Sequence, residues 1–226
     1  DQPLKQSKFG YSLRLGFYAF LFAFGLGIPL GIASALKQNT AIDYVVKFIS
    51  SVALAVPSFI LGLVLIMILA NGLNLIVILP SSWSKAPPEV WIVPALVLGF
   101  NTFASVIKLT RNSMLEVINQ DYVRTARAKG LSERVVVEVH MLRNALIPLV
   151  TYAGPALVEL ITGAFIIETM FGFPGMGREY VRSVVDKDYS LVLGLTVVYA
   201  LLMTVANIIV DATYAFLDPR IRVGNE

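Results

Sequence analysis

Three groups of residues in this chain have types and spacings that could do chemistry. The first is the segment 121–148, DYVRTARAKGLSERVVVEVHMLRNALIP, which carries Arg124, Arg127, Lys129, Arg134, Arg143 and His140, the chain's single histidine. A basic run of this kind can hold an anionic surface or seat against another macromolecule. The second group is polar and lies within apolar runs: Asn101, Glu159, Asn207 and Asp211. A carboxylate at the middle of a membrane helix disfavours insertion by about 2.5–3.5 kcal/mol, so Glu159 requires a water-filled path or a buried partner. The third is the turn-rich FGFPGMG, Phe171, Gly172, Phe173, Pro174, Gly175, Met176 and Gly177, whose Gly and Pro residues suit special backbone angles. The remaining chemistry is narrow. The sequence has no cysteine, and one histidine cannot build a histidine-rich metal site. It offers no Ser/His or paired-carboxylate constellation and no G-x-x-x-x-G-K-[ST] phosphate loop. No catalytic residue, metal site or cofactor is expected in this chain.

The elements that must position these residues are membrane helices. The 226 residues are 57% hydrophobic and 15% charged, against about 25% charged in a soluble domain. The deficit comes from long uncharged runs, and a crossing helix needs about 20 apolar residues. Five segments qualify: Tyr11–Leu36, Val45–Ala70, Trp91–Leu109, Leu146–Ile167 and Leu191–Phe216. The uncharged stretch after Lys47 is too long for one helix, so Asn71–Pro80 is expected to form a short re-entrant or interfacial piece. The positive-inside rule orients the bundle with its N-terminus outside. The inner side then holds Lys37, Lys47, Lys108, Arg111, Arg220, Arg222 and the cations of the 121–148 segment. Lys5, Lys8, Arg14, Lys85, Arg178, Arg182 and Lys187 remain outside. Trp83 and Trp91 would flank the outer end of the third span, in the headgroup layer. An odd number of spans with an outside N-terminus predicts one further span ahead of Asp1.

Gly27, Gly31 and Ala35 recur every four residues, which lets another backbone approach one face of the first span. Pro29, Pro57, Pro94 and Pro155 each remove a helical hydrogen bond in or near a span. In the basic segment, Asn119 or Asp121 would cap a first short helix and Gly130 would end it in the left-handed conformation. Ser132 would cap a second helix, with Val135, Val139 and Leu142 sharing a face. Three readings follow from these residues. The segment could lie on anionic lipid. It could be a helix-turn-helix DNA reader, although spans flank it on both sides without a linker. It could be a docking element that passes motion from a soluble partner to the spans.

The stretch RTARAKGLSERVVVEVHMLRNALIP resembles the cytoplasmic EAA loop of ABC importer membrane subunits. Ala126, Gly130 and Leu142 fit that loop's pattern. Arg124 and Thr125 stand where it has Glu and its first Ala, and Arg143 stands at its Pro. Those departures resemble the peptide-permease branch, as do His140, Leu142, Ala145, Leu146 and Pro148. FIIETMFGFPGMG (165–177), KDYSLVLG (187–194), DPRIR (218–222), SALKQN (34–39) and VPSF (56–59) also resemble the B-type subunit of oligopeptide and dipeptide importers. The likeness runs through essentially the whole chain.

The resemblance implies an all-α polytopic helix bundle over residues 1–226. It implies a cytoplasmic coupling loop at about 111–145 and an extracytoplasmic gate loop at about 169–189. A first span and an extracytoplasmic segment ahead of Asp1 are implied as well. Arg124, Thr125, Ala126, Lys129, Gly130, Leu131 and His140 would form the surface that meets the ATPase. Residues 171–177, with two exposed aromatics, would lie near the outer gate, and Asn101 and Glu159 could line the pathway, where a carboxylate could meet a peptide's amino terminus. The implied partners are two cytoplasmic ABC ATPase subunits holding ATP and Mg, and a second permease subunit, similar but distinct. An extracytoplasmic substrate-binding protein and membrane lipid complete the set, with no nucleic acid. The location is a prokaryotic inner or plasma membrane, with the C-terminus cytoplasmic. Peptide is the expected cargo; the branch also includes nickel-chelate and oligosaccharide importers. A stand-alone secondary transporter would need no basic coupling loop.

Overall fold

The computed structural model of this chain describes residues 7–71, 88–162 and 164–217. Helix α1 (Lys8–Leu36) leads into α2 (Ala41–Ala55) and α3 (Ser58–Asn71). A 3-10 turn, Pro88–Trp91, opens α4 (Ile92–Ile118). The short helices α5 (Asp121–Ala128), α6 (Glu133–Val135) and α7 (Leu142–Ala145) follow, with a π-helical stretch, Val136–Met141, between the last two. The chain then runs through α8 (Ile147–Thr162), α9 (Phe165–Met170), α10 (Met176–Val185) and α11 (Tyr189–Leu217). Lys8–Leu36, Glu89–Ile118, Ile147–Met170 and Tyr189–Ile209 are long and apolar enough to cross a membrane, and the pair α2–α3 makes up to five.

The seam between α1 and α4 organises the bundle, and the small-residue stripe builds it. A Cβ added to Gly27 would lie against Val106 and the Phe103 carbonyl, and one on Gly31 against Thr110 and the Ile107 carbonyl. Ala35 continues the stripe into a cluster with Met114 and Val117. Lipid tails are as apolar as leucine, so close packing of this kind, and not water exclusion, holds two membrane helices together. Gly16 sits equally close to Ile161 of α8, which fastens the N-terminal half of α1 to a third helix.

The second span differs from the expected Val45–Ala70 helix. It is broken into α2 and α3, bent by 101°. Pro57 supplies no N–H, and the residue before a proline avoids the helical region; Val56 is accordingly extended, at φ −93° and ψ 119°. Pro29 and Pro155 lie inside α1 and α8, whereas Pro94 is in the first turn of α4, where no intrahelical bond is lost. Trp91 faces the protein interior rather than lipid. It is buried, stacked on Tyr11 at 6.0 Å and edge-on to Phe173 at 5.0 Å. Tyr18 meets it edge-on at 5.8 Å, and the Arg14 guanidinium covers its ring and that of Tyr11. Helix α11 packs on α8 and α10 and leaves Leu193, Val197, Leu201, Val205 and Ile208 exposed. Of the expected Asn71–Pro80 piece, Asn71 ends α3 and residues 72–80 lie outside the described residues, as do Trp83 and Asp218–Arg222.

Candidate functional site

The basic segment folds as a compact knot on the C-terminal ends of α1 and α4. Only Asn119 and Gln120 separate α4 from α5. Gln120, rather than Asn119 or Asp121, occupies the cap position, in extended conformation. Val123 and Ala126 point inward and join Ala35, Met114, Val117, Val136, Met141 and Ala145 in one apolar cluster. Gly130 ends α5 at φ 78°, the left-handed region that glycine enters without strain. Across this turn Arg127 donates from Nε and Nη2 to Glu133, at 3.1 and 2.6 Å. Tyr122 Oη accepts from Asn144 Nδ2 at 2.8 Å, which ties α5 to α7.

The second half departs from the expected face of Val135, Val139 and Leu142. Val135 and Val139 are exposed, while Val136 and Met141 are fully buried. The cause is the π-helical stretch. Its wider turn brings residues five apart, Val136 and Met141, onto one side, where a 3.6-residue period would not. Ser132 does hold the cap position, although its side chain makes no cap hydrogen bond.

This packing sorts the sequence-derived coupling residues. Arg124, Thr125, Lys129, Gly130 and Leu131 are exposed in α5 and the α5–α6 turn, and His140 is half-buried in the π-helical stretch. Ala126 faces the apolar cluster and supports that surface from beneath. Leu131 is a large apolar side chain left 40% exposed at the tip. Glu133 is held below its ordinary value of 4.5, chiefly by the Arg127 hydrogen bond. A lowered carboxylate contributes stability above its unfolded value and loses it as pH falls through the folded value. Amide exchange across 121–145 should therefore rise below about pH 4.5, and Glu133→Gln should abolish that pH response.

At the opposite end, residues 171–175 form a turn between α9 and α10 and residues 176 and 177 open α10, so the expected 169–189 loop is largely helix. Phe171 and Phe173 are not exposed aromatics; both are fully buried, in the cluster with Tyr11, Leu15 and Trp91. Gly172 supplies the positive φ, 67°, that turns the chain back onto α1. The partner that holds the turn is Glu168, the glutamate of the FIIETMFGFPGMG stretch. Its side chain is fully buried. Ser12 Oγ donates to Oε1 at 2.6 Å, and the Arg178 N–H donates to Oε2 at 2.9 Å. Ser12 Oγ in turn accepts from the Met176 N–H at 2.8 Å. The carboxylate thus sits at the N-terminus of α10, where orphan N–H groups favour a negative charge. A Cβ on Gly175 would fall on the Glu168 carboxylate, so that glycine is required by contact; Pro174 completes the turn, Met176 opens α10, and Gly177 packs against the Phe165 backbone. The available signal was a glutamate placed seven residues before a glycine-rich helix start. Ser12→Ala removes a donor to the carboxylate and an acceptor for Met176. It should lower the stability of the purified permease by about 1–3 kcal/mol, read as a fall in denaturant midpoint with Ser12→Thr largely restoring it.

Between the two ends, Glu159 is exposed on α8 and forms no salt bridge among the described residues. It shares a face with Tyr152, one of whose neighbours across the seam is Ser105 of α4. Asn101 is half-buried, with its Oδ1 buried and lacking a hydrogen-bond partner among the described residues. Asn207 is exposed on α11, and the Asp211 side chain lies outside the described residues. No group of three metal-ligating side chains occurs among the described residues.

A helical bundle with a knot at one end, a pinned turn at the other and polar groups between them defines the class of polytopic membrane transport subunits. The chain belongs to the family of binding-protein-dependent transport system inner membrane components, whose signature matches residues 27–223. The oligopeptide transport system permease protein OppB of Escherichia coli (strain K12) is 42% identical over 220 residues, covering 97% of this chain and 71% of that protein. The dipeptide transport system permease protein DppB of Bacillus subtilis (strain 168) is 38% identical over 215 residues, covering 95% and 68%. In fold, the chain is similar to a chain of the inward-facing MetNI methionine ABC transporter. That match has a TM-score of 0.69 at 19% identity and covers 90% and 93% of the two chains. A solved amino acid ABC transporter gives 0.67 at 15% identity, covering 89% and 88%. The protein is a multi-pass permease of the inner membrane.

Proposed function

We propose that this permease serves an ATP-driven importer of oligopeptides or dipeptides. The observation that carries this reading is the 42% identity to an oligopeptide permease over 97% of the chain. The chain supplies half of the pathway. A similar but distinct permease subunit supplies the other half, an extracytoplasmic binding protein delivers the cargo, and two cytoplasmic subunits bind ATP and Mg and hydrolyse the nucleotide. The knot 121–148 faces the cytoplasm and seats on an ATPase through Arg124, Thr125, Lys129, Gly130, Leu131 and His140. The pinned segment 171–177 lies at the outer gate. Both placements are favoured by the bias of cations toward one end of the bundle.

Asn101 and Glu159 belong to the pathway on this reading. The exposed side of α11 carries no charged residue among the described side chains, whereas that of α8 carries Glu159 in mid-span. A charge there is tolerated only against water or a protein partner.

The test is purification of the full-length chain from native membranes in mild detergent, identification of what accompanies it, and assay of peptide-stimulated ATP hydrolysis. Co-purification of ATPase subunits and a second permease, with hydrolysis rising on addition of binding protein and peptide, is expected. An intact chain that brings no ATPase under several gentle conditions sinks the docking reading.

A further inference from the structure

A second buried carboxylate, Asp43, lies at the other end of α1 from Glu168, and nothing in the proposed docking surface or gate uses it. It is fully buried at the start of α2. Arg111 of α4 donates from Nε and Nη2 to its two oxygens, at 2.8 and 3.1 Å. Lys47 of α2 lies 2.8 Å from Oδ2. Ser34 of α1 donates to Oδ1 at 2.6 Å, and the Asn39 N–H donates to Oδ2 at 3.0 Å. Asn39 itself stands at φ 62°, a left-handed residue in the turn between α1 and α2. One side chain therefore joins the end of α1, the turn, the start of α2 and the C-terminal half of α4.

Its place in the fold is specific. Arg111 follows Thr110, the residue against which Gly31 packs, so the ionic cluster continues the α1–α4 seam. One helical turn further along α4, Met114 and Val117 receive Val123 and Ala126 of the knot. The knot, α4, α1 and α2 are thus linked in series, by apolar packing on one side of Arg111 and by charge on the other. Desolvating a carboxylate and a guanidinium offsets most of their attraction, and well-packed apolar residues would hold the helices as firmly. A bidentate pair adds what apolar contact lacks, a fixed relative orientation.

We propose that Asp43 is a positioning residue for energy coupling: it locks α2 to the α1–α4 seam, so that displacement of the 121–148 knot moves these helices as one lever. The inference rests on the importer reading above. Without the lock, the knot still meets the ATPase and the ATPase still turns over. The displacement is then lost in the α1–α2 turn, and α2 does not follow.

The experiment uses the complete importer in proteoliposomes with its binding protein and a radiolabelled peptide, measuring ATP hydrolysed per peptide accumulated. Asp43→Asn leaves Arg111, whose side chain is 14% exposed, without a counter-charge, while Lys47, 39% exposed, can turn to solvent; the complex should lose thermal stability. Asp43→Asn with Arg111→Gln removes both charges, and assembly, melting temperature and ATPase rate should return to within about two-fold of the parent. The ATP used per peptide should nevertheless stay raised by about ten-fold or more in the double variant. Recovery of the parental ratio together with stability overturns the proposal and leaves the cluster a purely structural one. Should neither variant assemble, Asp43→Glu keeps the charge and moves the carboxylate by one methylene; an unchanged ratio there also overturns it. A parent complex whose ATPase ignores binding protein and peptide overturns the importer reading instead, and this inference with it.

Discussion

Gly31→Leu is expected to leave almost no assembled permease in the membrane. A single added Cβ at this position already lies too close to the Thr110 side chain and to the Ile107 carbonyl oxygen. Inserting methylenes into a packed core costs about 1–3 kcal/mol where side chains can yield. Here one obstacle is backbone in the middle of a membrane helix, which can yield only if α1 and α4 separate. The whole seam from Gly27 to Ala35 depends on that distance, so the loss should reach or pass the top of the range. Gly25→Leu is the control: a Cβ there meets nothing within 4 Å, and expression and melting temperature should stay near those of the parent. Fluorescence-detected size-exclusion chromatography of tagged variants distinguishes the two. Equal profiles for both would mean that α1 and α4 do not meet as described.

Leu131→Asp should cut the ATPase recovered with the permease by about thirty-fold. That factor corresponds to the roughly 2 kcal/mol carried by an interface anchor. Leu131 is 40% exposed at the tip of the knot and stands outside its apolar cluster, so the substitution should leave the permease folded and its partner permease bound. Ala126→Asp is expected to give the same loss of ATPase by another route. It places a charge in the cluster of Met114, Val123, Val136 and Met141, and an uncompensated buried charge costs about 3–5 kcal/mol. Protease sensitivity between residues 121 and 145 separates the mechanisms: unchanged in the Leu131 variant, raised in the Ala126 variant. A Leu131 variant that retains full ATPase recovery would place the docking surface elsewhere on the chain.

The sequence by itself determined whatever depends on local period or on a single residue's backbone freedom. Uncharged runs of the right length gave four of the spans and the position of the fifth, because a bilayer imposes one length on every helix that crosses it. The Gly27–Gly31–Ala35 stripe predicted a close approach, because no other residues permit one. Gly130 predicted the break between α5 and α6 through the conformation it alone adopts cheaply. The family resemblance was carried by motifs of the same kind, read in order along the chain.

Tertiary structure decided which residues meet across the chain, and there local pattern carried no information. Phe171 and Phe173 read as exposed in a glycine-rich turn, yet the turn folds back and buries both against Trp91. Val135 and Val139 obey a helical period, but the π-helical stretch breaks that period and selects Val136 and Met141 instead. Ser12 and Glu168 are 156 residues apart, and Asp43 and Arg111 are 68 apart. Neither member of a pair points to the other until the helices are assembled. Burial then makes them decisive, because a carboxylate shut away from water persists only where donors from distant helices have been brought to it.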